Sequence, residues 1–298
     1  MKRVLITGAE GFVASYLIER LAKSYLLYGT YFLKEVESIE SLFLDITDQE
    51  RVLQMINEIK PDIIYHLAAQ SSGGLSFSKP MMTYSINVQG TLNLLEAARI
   101  SVPDAVIIIP TSADIYGSPD YLPLDEKHPL KPSNPYAASK AAVHIICENY
   151  AKTFKMKIIE ARSFNHIGRG QSELFFIPSM VKQIKDCSNS NGKIQAGNID
   201  IKRDFSDVRD VVEAYEMMIN AESGVYNVCS GKAFPLRKFI DHLIEYSGKK
   251  ITIDINNTMK RNNEPENFYG SYKRLNSSIG WTPKSDIFKT LEWIYDGK

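Results

Sequence analysis

A short apolar run, Val4–Thr7, opens directly into Gly8-Ala9-Glu10-Gly11-Phe12-Val13-Ala14, after which Tyr16, Leu17, Ile18 and Leu21 recur at helical spacing. That order predicts a strand, a tight glycine turn and a helix, and few architectures begin this way. Gly8 permits the tight turn, Gly11 lets the backbone approach a pyrophosphate, and the small Ala14 lets the helix pack against the strand. Phe12 and Val13 start the helix, whose N-terminus then faces the phosphates. The pattern therefore points to a bound dinucleotide, NADP(H) or NAD(H), against the plainer alternative of a tight βα turn with no ligand.

The same alternation continues for half the chain. Apolar strand-like runs near Leu26–Tyr31, Leu42–Leu44, Asp62–Gln70, Ala105–Ile109 and Lys157–Arg162 are separated by helical patterns at Gln49–Ile59, Pro80–Ala98 and Tyr136–Phe154. Six such units joined by right-handed crossovers predict an α/β, Rossmann-type, doubly wound parallel sheet. After Arg162 the composition changes to glycine-containing loops and shorter elements. The expected division is a dinucleotide-binding part, residues 1–163 with 205–232 returning to it, and a smaller C-terminal α/β part, residues 164–204 and 233–298. Beyond Arg162, helices are expected near Phe175–Lys185, Val211–Ile219 and Leu236–Tyr246, strands at Val225–Cys229 and Ile251–Ile255, and a polar loop from Arg261 to Pro283.

In open parallel sheets ligands bind beyond the carboxyl ends of the strands, so the residues there are the candidates. The strand ending at Tyr31 lacks the acid that would read a free ribose 2′-hydroxyl; Lys34 could meet a 2′-phosphate instead, or be a solvated loop lysine. Asp45 and Ile46 sit where an adenine could be held, with a carboxylate for its amine and an apolar cover. Asp48 fits a helix cap. Leu67, Ala68 and Ala69 are small or apolar and leave room for a cofactor, whereas His66 reads as a packed, hydrogen-bonded core residue. Asn87 interrupts an apolar helix face, either as a tie between segments or as a surface polar group. Ser112, at the end of the fully apolar strand Ala105–Ile109, could donate to a substrate carbonyl oxygen or serve only in a turn.

Tyr136 and Lys140 stand four apart on a helix and so share a face. An ammonium beside a phenol favours the phenolate, so the pair is expected to lower the phenol from its usual value of about 10 and to suit proton transfer while a hydride moves. Spacing alone is weak, since Tyr246/Lys250 and Tyr269/Lys273 repeat it.

Bulk properties narrow the classes. Lysine plus arginine equals aspartate plus glutamate at 35 each in 298 residues, which gives no reason to expect nucleic acid as a partner. Cys147, Cys187 and Cys229 have no metal or redox spacing and read as reduced thiols of a cytoplasmic protein. The N-terminal apolar run is too short for a signal segment, and no run approaches the roughly 18 apolar residues of a membrane span.

Together, Thr7-Gly8-x-x-Gly11-x-x-Ala14, His66-Leu67-Ala68-Ala69, Ser112-Ala113-Asp114-Ile115-Tyr116-Gly117, Tyr136-x-x-x-Lys140, Arg203-Asp204-Phe205 and Gly280-Trp281-x-Pro283 resemble the extended short-chain dehydrogenase/reductases, the NAD-dependent epimerase/dehydratase family, over nearly the whole chain. Ser163-Phe164-Asn165-His166-Ile167-Gly168-x-Gly170-Gln171 and Tyr226-Asn227-Val228-Cys229-Ser230-Gly231 are most similar to its GDP-4-keto-6-deoxy-D-mannose reductase branch. The resemblance implies reduction of the C4 ketone of a GDP-linked 4-keto-6-deoxyhexose, with 4,6-dehydration or C4 epimerisation as the alternatives. It implies that Tyr136 protonates the C4 oxygen, that Ser112 hydrogen-bonds the same atom and that Lys140 holds the cofactor ribose. It further implies that Asn165 orients the sugar or its phosphates, that Arg203 and Arg261 clamp the diphosphate, and that Glu264 accepts from ribose hydroxyls. It also implies a homodimer formed through the helices near Pro80–Ala98 and Tyr136–Phe154. Two departures stand out. Ala113 replaces the acid that dehydratases use to protonate leaving water, with Asp114 keeping a carboxylate at the next place, and Arg169 stands where relatives carry proline.

Overall fold

The computed structural model describes residues 1–188, 191–256, 258 and 264–297. The elements in chain order are β1 (Arg3–Thr7), α1 (Phe12–Leu21), β2 (Leu26–Tyr31), β3 (Glu40–Phe43), α2 (Gln49–Ile59), β4 (Ile63–His66), α3 (Gly73–Ser78), α4 (Pro80–Tyr84), α5 (Gly90–Ser101), β5 (Val106–Ser112), α6 (Pro135–Phe154), β6 (Lys157–Ser163), β7 (Asn165–Ile167), α7 (Phe176–Asp186), β8 (Gly192–Ala196), β9 (Lys202–Asp207), α8 (Val208–Met217), β10 (Gly224–Val228), β11 (Ala233–Pro235), α9 (Leu236–Ser247), β12 (Ile251–Ile255), β13 (Asn267–Phe268), α10 (Lys273–Ile279) and α11 (Ile287–Asp296).

Seven strands form one parallel sheet in the order β10-β6-β5-β4-β1-β2-β3. The order reverses at β1, where the chain departs in one direction to β2 and β3 and in the other to β4, β5 and β6. This switch creates the crevice outside the carboxyl ends of β1 and β4. The central strands are apolar because both faces are covered. On one side Val4, Ile6, Ile63 and Ile108 pack with Leu17 and Leu21 of α1, Val211 and Tyr215 of α8, and Trp281. On the other, Leu5, Ile64, Ile107 and Ile109 pack with α2, α5 and α6.

A separate apolar cluster joins α7, α9 and α11 to Phe205, Ile194 and Ile201. Here β9 pairs with β7, β11 and β13, while β8 pairs with β12. The division expected at residues 204 and 205 falls inside β9, whose pairing with β7 runs on through Phe205–Asp207; the chain turns back to the large sheet only with α8. The stretch expected to be a polar loop to Pro283 contains β13 and α10, and α10 buries Leu275 alone.

The helix expected over Pro80–Ala98 runs to Ser101 but widens into a π-turn at Ser85–Gln89. Asn87 occupies that turn and is 1% exposed. Directly after it Gly90 presses on Ile46, with 2.7 Å from the place of its missing Cβ to the isoleucine Cγ2. Asp48 caps α2, accepting from the Arg51 N–H at 3.1 Å.

Candidate active site

Strand register brings the candidates to one edge. Thr7 lies beside His66 in the β1–β4 pair, and Ser112 beside Ser163 in the β5–β6 pair. The segments that follow, Gly8–Val13, Leu67–Ala69, Ala113–Asp114 and Asn165, therefore leave the sheet at the same end.

At the glycine turn, Gly8 has φ +67°, and a Cβ on it would stand 2.8 Å from the Ala68 backbone. Any side chain there would push the β4 exit away. Gly11 precedes α1 with no side-chain cap, so the first amides of that helix keep their donors for an anion. Thr7 ties the two strand exits together, its hydroxyl accepting from the Ala68 N–H at 3.2 Å. Phe12 stacks on His166 with ring centroids 6.2 Å apart, which brings the loop after β6 over the start of α1. Leu67, Ala68 and Ala69 are half-buried, as are Phe12 and Val13. An uncapped helix start, a turn without room for Cβ and small residues opposite together fit a dinucleotide pyrophosphate.

His66 is enclosed. Its Nδ1 lies 2.9 Å from the Thr7 hydroxyl and its Nε2 3.1 Å from that of Thr91. Thr91 already donates to the Asn87 carbonyl, so it accepts from Nε2–H, and Thr7 donates to Nδ1. Burial, then the charge of Lys140, pulls the imidazole down to about 3. Asn87 is consumed by protein partners: its Oδ1 accepts from the Gln70 N–H, and its Nδ2 donates to the Gln70 carbonyl and the Ser139 hydroxyl. It joins the β4 exit to α6 one residue before Lys140 rather than opening onto the crevice. Asp45 accepts from the Thr47 N–H and hydroxyl, and Ile46 is buried against α5. Lys34 is exposed on the loop after β2.

The catalytic candidates converge on β5 and α6. Asn134 caps α6 by accepting from the Ala137 N–H at 2.8 Å, and Pro135 supplies a preset first turn. Tyr136, in the first turn of α6 and 9% exposed, comes close enough to the Ser112 hydroxyl to feel it electrostatically. Ser112 also accepts from the Asp114 N–H at 3.1 Å. Lys140, 7% exposed, donates to the Pro110 carbonyl at 3.0 Å.

The electrostatics of the pair differ from the expectation. The Tyr136 phenol is pushed up, by burial first and the Asp114 carboxylate next, against the hydrogen bond from Ser112. Lys140 does not lower it, because its ammonium is turned onto the Pro110 carbonyl. Burial draws Lys140 itself down to about 8, with Cys147 and Glu160 opposing. The shift runs opposite to the expected tuning and makes the phenol a weaker acid.

Beneath these groups lies a charged network that sequence reasoning missed. Glu160 and Arg162, each 2% exposed, pair on β6 at 3.1 Å. Glu160 also accepts from the Thr111 hydroxyl and meets His144 Nδ1 at 2.6 Å. Arg162 donates to the Tyr116 hydroxyl, which donates to Asn227 Oδ1. Burial raises the Glu160 carboxyl, but His144, Arg162 and Thr111 outweigh it and leave it lowered. The available signal was a glutamate and an arginine two apart, hence on one face, inside an otherwise apolar strand.

A second group of candidates gathers on β7 and β9. Asn165 is exposed and donates from Nδ2 to the Asp204 carbonyl at 3.2 Å. Arg203 donates to the Pro265 carbonyl at 2.8 Å and lies 3.9 Å from Glu264, so these two are partners of each other. Arg261 lies outside the described residues. Asp204, also missed, takes hydrogen bonds from Ser230, Gly231 and Gly270 and is nonetheless raised to about 6 by burial.

A family model described as GDP-mannose 4,6 dehydratase matches residues 5–293. The GDP-6-deoxy-D-mannose reductase of Pseudomonas aeruginosa is 33% identical over 306 residues, covering 98% of this chain and 96% of that protein. Among solved structures, RMD from Pseudomonas aeruginosa in complex with NADPH superposes with a TM-score of 0.85 at 31% identity, covering 100% of this chain and 97% of the other. The UDP-glucose 4-epimerase of Thermus thermophilus in complex with NAD gives 0.90 at 26%, covering 99% and 98%.

Proposed function

Because the chain belongs to the GDP-mannose 4,6 dehydratase family, we propose that it is an NAD(P)H-dependent ketosugar reductase that converts GDP-4-keto-6-deoxy-D-mannose to GDP-D-rhamnose. The observation that carries this reading is a buried Tyr136 in the first turn of α6, gathered with Ser112 at the carboxyl end of β5, in a chain similar over its whole length to a GDP-6-deoxy-D-mannose reductase. The reduced dinucleotide supplies a hydride to the sugar C4. Tyr136 gives its phenolic proton to the C4 oxygen as negative charge gathers there. Ser112 donates to the same oxygen, and donors fixed in advance stabilise such charge without reorganisation. Lys140, its ammonium resting on the Pro110 carbonyl, offers its remaining donors to ribose hydroxyls. Gly8, Gly11, Phe12 and Val13 border the pyrophosphate, Leu67–Ala69 the dinucleotide, and Asp45 with Ile46 the adenine. Arg203 and Arg261 answer the sugar diphosphate, where a planar guanidinium gives paired hydrogen bonds, with Asn165 and Glu264 orienting the sugar nucleotide. Residues 1–163 with the return of α8 and β10 form the dinucleotide-binding part, and the rest binds the sugar nucleotide. Exposed Met81, Ile100, Ile145 and Phe154 on α4, α5 and α6 support a homodimer through these helices.

Purified protein should oxidise NADH or NADPH continuously when given GDP-4-keto-6-deoxy-D-mannose. Tyr136→Phe should cut turnover by roughly 10²–10⁴ while retaining nucleotide binding; near-native turnover would remove Tyr136 from the reaction. A second reading, 4,6-dehydration of GDP-mannose, draws on the Asp114 carboxylate acting on Tyr136. It predicts consumption of GDP-mannose with no net change in cofactor.

A further inference from the structure

The end of β2 lacks an acid of its own, yet a carboxylate is held there. Glu10, in the glycine turn, reaches across so that its Oε1 accepts from the N–H groups of Phe32 at 2.9 Å and Leu33 at 3.3 Å. These are the first two amides beyond β2. The reach is set by close backbone packing. The Ala9 N–H donates to the Thr30 carbonyl at 2.7 Å, the Gly8 N–H faces the Thr30 hydroxyl at 3.3 Å, and a Cβ on Gly29 would stand 2.8 Å from that of Ala9. The other oxygen, Oε2, is shielded from solvent and accepts no hydrogen bond from the described residues.

We propose that Glu10 selects the adenosine end of the dinucleotide, favouring NADH over NADPH; this rests on the reading of the crevice as a dinucleotide site. A ribose 2′-hydroxyl is neutral and a donor, so a neighbouring carboxylate tolerates it. A 2′-phosphate is an acceptor carrying close to two negative charges. It would meet a like charge beside the end of β2, and the first two amides beyond that strand are already bonded to Glu10. Lys34, on the same loop, argues the other way, but it is exposed and its point charge is screened by water. The glutamate is half-buried and held by two amides, so its field acts through less solvent than that of a free side chain.

Dissociation constants for NADH and NADPH, and for ADP-ribose and its 2′-phosphate, would be measured by calorimetry on the full chain, with Glu10→Gln and Lys34→Ala alongside. Wild type should bind NADH more tightly by on the order of tenfold or more. Glu10→Gln keeps an acceptor for the Phe32 and Leu33 amides but removes the charge, so the ratio should fall to within about threefold, chiefly through tighter NADPH binding. Lys34→Ala should leave NADH favoured. Equal or tighter binding of NADPH by wild type, or an unchanged ratio in a folded Glu10→Gln protein, would overturn the inference. A preference that depends on Lys34 instead would do the same. Binding of neither nucleotide would overturn the reading of the crevice itself, and the inference with it.

Discussion

His66 shows how one side chain serves the site by staying neutral. Its two nitrogens are assigned by Thr7 and Thr91, and its value falls from the ordinary 6.5 to about 3 mainly through burial. Below pH 6.5 the unfolded chain takes up a proton that the folded chain refuses. The folded state therefore holds this contribution in full above pH 6.5 and loses it as pH falls toward 3, at a slope of about 1.4 kcal/mol per pH unit. His66→Gln should flatten that slope in urea melts between pH 4 and 6; an unaltered slope would place the acid sensitivity elsewhere. Asp204 acts in the opposite sense. Its carboxyl, raised to about 6 by burial, makes the folded state lose stability as pH climbs from about 4 to 6. The two residues partly cancel in wild type, so the histidine contribution emerges only as a difference between proteins.

At the scale of elements, the widened turn in the middle of the α4–α5 helix is the least regular feature near the site. Asn87 there bonds Gln70 and Ser139, and the Ser139 hydroxyl in turn donates to the Tyr136 carbonyl. Asn87→Ala strands the buried Gln70 amide and should cost about 1–3 kcal/mol, read as a lower unfolding midpoint in denaturant. Turnover should fall too, because the first turn of α6 loses its anchor. Period and apolarity made the helix legible in the sequence, down to the polar interruption at Asn87, but not the π-turn, which depends on Ile46 and Gln70 arriving from elsewhere. The same holds for the site. Ser112, Tyr136 and Lys140 could be read from strand end and helix spacing. Glu10 meeting the β2 exit could not, because that contact is made by a turn folding onto a strand. Nor could an upward Tyr136 shift be foreseen, since it follows from burial and from Asp114 rather than from the neighbour four residues along.

For the whole molecule, the long buried strands of the large sheet announced themselves, whereas β7, β9, β11 and β13 are short, mixed in polarity and paired across distant segments, so local pattern carried little of them. Association belongs to this scale as well. Ile145 is 63% exposed on α6 and Ile100 58% exposed on α5, an arrangement that a second copy would cover. Wild type should sediment as a dimer at micromolar concentration and Ile145→Glu as a monomer; a monomeric wild type would end that proposal. The pairing of β10 with β6 has one more consequence. Between those two strands the chain lays down β7, α7, β8, β9 and α8, so a ribosome delivers much of the smaller unit before the larger sheet receives its last strand. Separate domains can fold in turn during synthesis, but here that schedule is closed, and a nascent chain halted near residue 205 holds two unfinished halves.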